Sequence, residues 1–172
     1  FIHPSNNLDV ILGNSTIATE LLVKNPELDY ILSPVGGGGL LSGLALSSSA
    51  LSEKCEVVGV EPINVNDAFR SIISKKIETN NTSNTIADGL RSNLGNINFP
   101  IILKHINKII CVEEQEIIDA IHLIHKELDI LVEPSGAVSL AGLLKEKKIF
   151  KNKKIAVVIS GGNVDPNNLP FN

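Results

Sequence analysis

The chain has 172 residues, 43% hydrophobic and 20% charged, a balance that suits one globular domain with enough apolar material to bury a core. A net charge of −4 with no basic stripe argues against nucleic acid as a partner. No apolar run approaches the roughly 18 residues that a membrane-spanning helix needs, so no membrane partner is expected.

Short β-branched runs alternate with helical patterns along the chain. The sequence predicts a buried strand at Ile31–Val35, closed by Gly36, and a helix over Leu40–Leu51. A second strand, Val57–Val60, ends at Glu61-Pro62, and residues 64–75 read as helical. A polar loop at Asn80–Asn84 leads to a short helix over Phe99–Ile106 and a strand over Lys108–Val112. The clearest helix is Glu113–Leu128, where Ile117, Ile118, Ile121, Ile124 and Leu128 keep one apolar stripe. Glu113, Glu114 and Glu116 suit the positive end of its dipole. A further helix runs from about Gly136 to Lys147, and Ile155–Ile159 is a last strand that stops at Ser160-Gly161-Gly162. Residues before Ile31 give no element.

Strands that are apolar throughout and alternate with helices predict an α/β fold, a parallel sheet covered on both faces. Ligands of such sheets bind beyond the carboxyl ends of the strands. Three features fall there: Gly36 to Gly39, Glu61, and Ser160 to Asn163. Cys55 and Cys111 have neither metal-type nor redox-type spacing and read as reduced core thiols of a cytoplasmic protein. Two short glycosylation patterns, at Asn14 and Asn81, are too common by chance to change that reading. The chain contains no methionine and begins with Phe1, so it is expected to be an excerpt or a processed product.

The glycine quartet Gly36-Gly37-Gly38-Gly39 lies between a strand and a helix. Backbone without Cβ can turn successive N–H groups inward, and with the following helix N-terminus it can cradle a phosphate. A flexible turn is the plainer alternative, but four glycines cost considerable entropy on folding. A nucleoside-triphosphate loop requires Lys then Ser or Thr, where this chain has Leu40-Leu41. A dinucleotide fingerprint fails at its third glycine, on Leu41 or Ser42, although Glu61 stands where a ribose-binding acid would.

Ser33-Pro34-Val35-Gly36-Gly37-Gly38-Gly39-Leu40 resembles the phosphate loop of fold-type II pyridoxal-phosphate (PLP) enzymes, closest to serine racemase and the threonine/serine dehydratases. Other segments match that group in the same order. They are His3-Pro4 with Gly13-x-x-Thr16-Ile17, Val60-Glu61-Pro62, Ala87-Asp88-Gly89-Leu90, Glu133-Pro134-Ser135-Gly136-Ala137, and Ser160-Gly161-Gly162-Asn163-Val164-Asp165. The resemblance covers essentially the whole chain. It implies the C-terminal part of the large, cofactor-binding domain over residues 1–172, incomplete at its N-terminus and without the upstream small domain.

By that resemblance, Gly36, Gly37, Gly38, Gly39 and Leu40 hold the cofactor phosphate. Ser160 places a hydroxyl near the pyridine nitrogen, Gly89 leaves room beside the internal imine, and Glu133 lies near the ring. Glu61 and Asp67, with the carbonyl of Val65, stand where the racemase-like branch binds Mg²⁺ or Ca²⁺, a ligand set suited to a hard cation. Two surface acids capping a helix are the plainer alternative. The family's Schiff-base lysine lies in a Ser-x-Lys-x-Arg-Gly context, and no lysine here has those neighbours, so this chain holds no catalytic residue. Ser15 stands where the family has glycine, and Ser5 where it has asparagine.

The resemblance implies an ammonia-lyase (dehydratase) converting L-threonine or L-serine to the 2-oxo acid and ammonia, with racemisation sharing every residue present. Ala87-Asp88-Gly89-Leu90-Arg91-Ser92, then Gly95 and Phe99-Pro100, resembles the dehydratase branch. The implied substrate is a small hydroxy-amino acid, and the implied complete protein is a homodimer or homotetramer. A nucleotide-binding α/β domain and a non-catalytic remnant are the lesser alternatives. His122 and His125, one helical turn apart without a third ligand, read as a solvated or half-buried face, and the lysines from Lys145 to Lys154 as a solvated turn.

Overall fold

The computed structural model describes residues 2–165; Phe1 and residues 166–172, which the predicted span 1–172 includes, lie outside it. Strands β1 (Tyr30–Pro34), β2 (Glu56–Pro62), β3 (Ile109–Val112) and β4 (Ile155–Val157) form one sheet in the order β3-β2-β1-β4, with every pairing parallel. Parallel neighbours need crossovers, and helices supply them. These are α1 (Leu8–Lys24), α2 (Gly39–Leu51), α3 (Asp67–Ser74), α4 (Asn98–His105), α5 (Glu114–Leu128) and α6 (Pro134–Lys145).

The apolar runs are continuous because both faces of the sheet are covered. Leu32, Val58 and Ile110 point to one side, against Ile117, Ile121 and Ile124 of α5 and Val138 of α6. Their chain neighbours Ile31, Val57 and Ile109 point to the other side, against Ala18 of α1, Leu41 and Leu44 of α2, and Ile102 of α4.

Most boundaries fall within a residue or two of those expected. Glu113, predicted inside α5, is its cap: the Glu113 N–H donates to Glu116 Oε2 at 2.7 Å. The predicted helix over 64–75 divides into a 3₁₀ turn, Ile63–Val65, and α3. Regular pairing in β4 stops at Val157, earlier than predicted, although Val158 N still donates to Leu32 O at 2.9 Å.

Helix α1 is the element that sequence periodicity misses. Only Ile11, Ala18 and Leu22 are buried along its 17 residues, too sparse a stripe to announce a helix. The Asn7 side chain caps it by accepting from Asp9 N and Val10 N, at 2.8 and 3.3 Å. Ser15 and Thr16 return their hydroxyls to Leu12 O and Gly13 O, so those residues sit in a helix without stranding a donor. Packing against α2 supplies the rest: a side chain at Gly43 would lie 2.8 Å from Ser15 N.

From β1 the chain proceeds to β2 and β3 on one side, then returns through α5 and α6 to place β4 on the other. The carboxyl ends of β1 and β4 are therefore neighbours where the strand order reverses, the place at which sheets of this kind form a ligand crevice. Ile121, 1% exposed beneath this sheet, tests the packing. An Ile121→Ala variant is expected to lose about 2–5 kcal/mol in a denaturant titration, and an unchanged midpoint would contradict this layer assignment.

Candidate functional site

A cleft of about 360 Å³ occupies that crevice. Gly36, Gly37, Gly38, Gly39, Leu40, Gly89, Glu133 and Ser160, all singled out from sequence, line it together. Pro4, Ser5, Asn14, Ser92 and Ser135 complete much of the wall.

The glycine loop leaves β1 and becomes the first turn of α2, whose N-terminal N–H groups have no carbonyl four residues back. Gly38 takes φ +90°, a left-handed conformation that side chains rarely adopt, and a Cβ there would lie 2.6 Å from Leu94 Cδ1. On the loop's other side, a Cβ on Gly39 would stand 2.7 Å from Ser5 O. Gly38 and Gly39 are thus required by protein packed closely around them, a constraint the sequence did not reveal. The Gly37 carbonyl accepts from Gly95 N at 3.0 Å and from Asn98 Nδ2 at 2.6 Å.

The first turn of α6 joins the remaining walls. Gly89 lies in a 3₁₀ turn, Asp88–Leu90, and its N–H donates to Ser135 Oγ at 3.0 Å. A Cβ on Gly89 would stand 3.0 Å from that same hydroxyl. Glu133 Oε2 accepts from Asn163 N at 3.0 Å, and Glu133 N donates to Gly161 O at 3.3 Å. Glu133 therefore fastens the turn that carries Ser160. Asn98 and Ser135 are the residues that sequence reasoning missed. Ser135 lies inside a motif already noticed, whereas Asn98 carries no local signal.

Glu61, Val65 and Asp67 lie outside the cleft, each 1% exposed. They are not the surface acids of the plainer alternative. Glu61 Oε1 accepts from Phe69 N at 2.6 Å. Asp67 Oδ1 accepts from Asn80 Nδ2 at 2.6 Å, and Oδ2 from Leu94 N at 2.7 Å. Burial pushes the Glu61 carboxyl up from 4.5 to about 8, with the Asp67 charge adding to it. Burial raises Asp67 as well. No group of three or more His, Cys, Asp or Glu able to hold a metal occurs among the described residues. The position of Glu61 away from the cleft also removes the ribose-binding role a dinucleotide site would give it.

Both cysteines are free thiols; burial pushes Cys111 up to about 12 and raises Cys55. His122 is exposed and His125 half-buried on α5. Within the lysine-rich turn, Lys145 pairs with Glu116 at 2.9 Å and Lys154 with Glu27 at 3.3 Å. No helix among the described residues is long and apolar enough to cross a membrane.

The model of the family described as "Pyridoxal-phosphate dependent enzyme" matches residues 1–161. The chain belongs to the pyridoxal-phosphate-dependent enzymes. Serine racemase of Dictyostelium discoideum is 43% identical over 170 residues, covering 95% of this chain and 52% of its own length. The beta-hydroxyaspartate dehydratase of Paracoccus denitrificans (strain Pd 1222) is 40% identical, covering 100% of this chain and 55% of its own. The solved structure of maize serine racemase superposes with a TM-score of 0.92 at 38% identity, over 96% of this chain and 52% of that one. The chain thus spans about half the length of the curated relatives it matches. Its parallel sheet is that of the fold-type II PLP enzymes, which confirms the predicted fold class.

In this PLP-family chain the buried acid pair sets a pH dependence. The folded-state value of Glu61 lies above its unfolded one, so the protonated acid favours the fold. That contribution is complete below about pH 4.5 and is lost as pH rises through about 8. In chelator, stability is expected to fall across this interval, and Glu61→Gln to make the fall shallower. Equal slopes for the two proteins would contradict the burial of an ionisable Glu61.

Proposed function

We propose that the complete protein is a PLP-dependent ammonia-lyase acting on L-threonine or L-serine, and that this chain is the C-terminal part of its large domain. An upstream half would supply the Schiff-base lysine and the small domain. What carries the reading is the meeting, at the carboxyl ends of β1 and β4, of a side-chain-free loop with Gly89, Glu133 and Ser160.

The cleft fits the cofactor. Backbone N–H groups of Gly36 to Gly39 and Leu40, at the positive end of α2, would be the donors for its phosphate. Gly89, held to Ser135, keeps a flat wall beside the ring. The bound cofactor would supply an electron sink for negative charge developing at the substrate α-carbon. Ser160 would present a neutral hydroxyl to the ring nitrogen, which could not hold that nitrogen protonated as a carboxylate does, and this would disfavour transamination. Glu133 keeps Ser160 in place through Asn163 and Gly161.

Serine racemase is the second reading, favoured by the buried Glu61 and Asp67, which with the Val65 carbonyl would be that branch's cation ligands. Together they offer hard oxygen donors for Mg²⁺ or Ca²⁺. The relatives' names support lyase and racemase alike, and extend the substrate class to hydroxyaspartate. A cytoplasmic homodimer or homotetramer is the expected form of the complete protein.

Incubating the complete, PLP-loaded protein with L-threonine and L-serine decides between the readings. The lyase yields a 2-oxo acid and ammonia, the racemase D-serine, and absence of all three would overturn the assignment. Ser160→Asp should lower the share of elimination, because a ring that holds charge better drives less expulsion of the β-hydroxyl. An unchanged product ratio would refute the Ser160 contact. Chelation should lower the melting temperature if the acid pair holds a cation, and indifference to chelator would leave the pair without that role.

A further inference from the structure

We infer that Asn98 is a positioning residue for anion binding: its carboxamide holds the Gly37–Gly38 peptide with the N–H turned toward the cleft. The inference rests on the proposed phosphate loop and adds what fixes its polarity.

In a trans peptide the C=O and N–H point in opposite directions. A glycine-glycine peptide is the one most free to flip, because neither residue has a Cβ to forbid the alternative. Flipped, the Gly37–Gly38 unit would place a carbonyl oxygen where the loop must offer a donor, and the anion would be repelled. The structure ties that carbonyl back at two points, to Gly95 N at 3.0 Å and to Asn98 Nδ2 at 2.6 Å. Its opposite end, Gly38 N–H, belongs to a residue that lines the cleft.

The side chain is suited to this task and expensive to keep. Asn98 is fully buried at the start of α4, and Nδ2 also donates to Ser5 O at 3.1 Å. Both partners are carbonyl oxygens, so the group facing them must be the amino end of the carboxamide. The other end, Oδ1, is buried with no hydrogen-bond partner among the described residues. An orphaned buried acceptor is destabilising. The position therefore uses the carboxamide as a donor to two carbonyls, Gly37 O and Ser5 O, and leaves its acceptor idle.

The segment before Asn98 is itself anchored. Leu94 N donates to Asp67 Oδ2 at 2.7 Å, and Ile97 N to Asn6 Oδ1 at 2.9 Å. Asn98 thus reaches the loop from a fixed base, which a strut needs.

The test compares two ligands that differ only in the phosphate. The complete protein is stripped of cofactor and titrated with PLP and with pyridoxal, followed by absorbance and fluorescence. Asn98→Leu removes both donors and the orphaned oxygen while keeping the number of side-chain heavy atoms and the branching at Cγ. It should bind pyridoxal as the wild type does and PLP on the order of tenfold more weakly, since Gly95 N still holds the carbonyl. Should that variant fail to fold, Asn98→Ser keeps a small polar group and carries the same expectation. Unchanged affinity for both ligands overturns the inference, and so does equal weakening of both, which marks Asn98 as general support. A wild type that shows no preference for PLP over pyridoxal overturns the phosphate loop itself, and the inference with it.

Discussion

The anion binding proposed for this loop depends on backbone held against its own freedom. A loop without side chains can approach a phosphate closely, but it can also turn its carbonyls inward. The structure resolves this with contacts around the loop: Ser5 O against Gly39, Leu94 beneath Gly38, and Gly95 N with Asn98 Nδ2 on the Gly37 carbonyl. Each removes an alternative conformation before any ligand arrives, so less ordering remains to oppose binding.

The same economy governs the opposite wall. One helical turn, Glu133 to Gly136, meets both the Gly89 turn and the turn after β4. At Gly136 the backbone runs so close to the Ser160 carbonyl that any side chain would collide with it. Residues far apart in sequence are therefore set relative to each other by the N-terminus of α6. The sheet topology sets the walls side by side, because β1 and β4 are neighbours where the strand order reverses.

Much of this was legible in the sequence, for physical reasons that also explain the omissions. Strands such as Val57–Val60 are apolar on both faces, which leaves a continuous run that only a covered parallel sheet explains. Helix α1 was illegible because its stability comes from a near-contact with α2 at Gly43 rather than from its own stripe. The glycine quartet and Ser160 stand out at strand ends, whereas Gly89 and Glu133 could be named only through the resemblance to the PLP enzymes. Asn98 could not, since its partner Gly37 lies 61 residues away and nothing in its neighbours announces the bond. The plain reading of Glu61 and Asp67 as surface acids failed for a similar reason: burial depends on the tertiary structure, and both are 1% exposed.

The most direct measurement is a crystal structure of the complete protein with PLP bound. The account predicts phosphate oxygens about 3 Å from backbone nitrogens between Gly36 and Leu40, with the ring between Gly89 and Ser160. A phosphate seated elsewhere, or a Gly37 carbonyl turned toward it, would contradict the account.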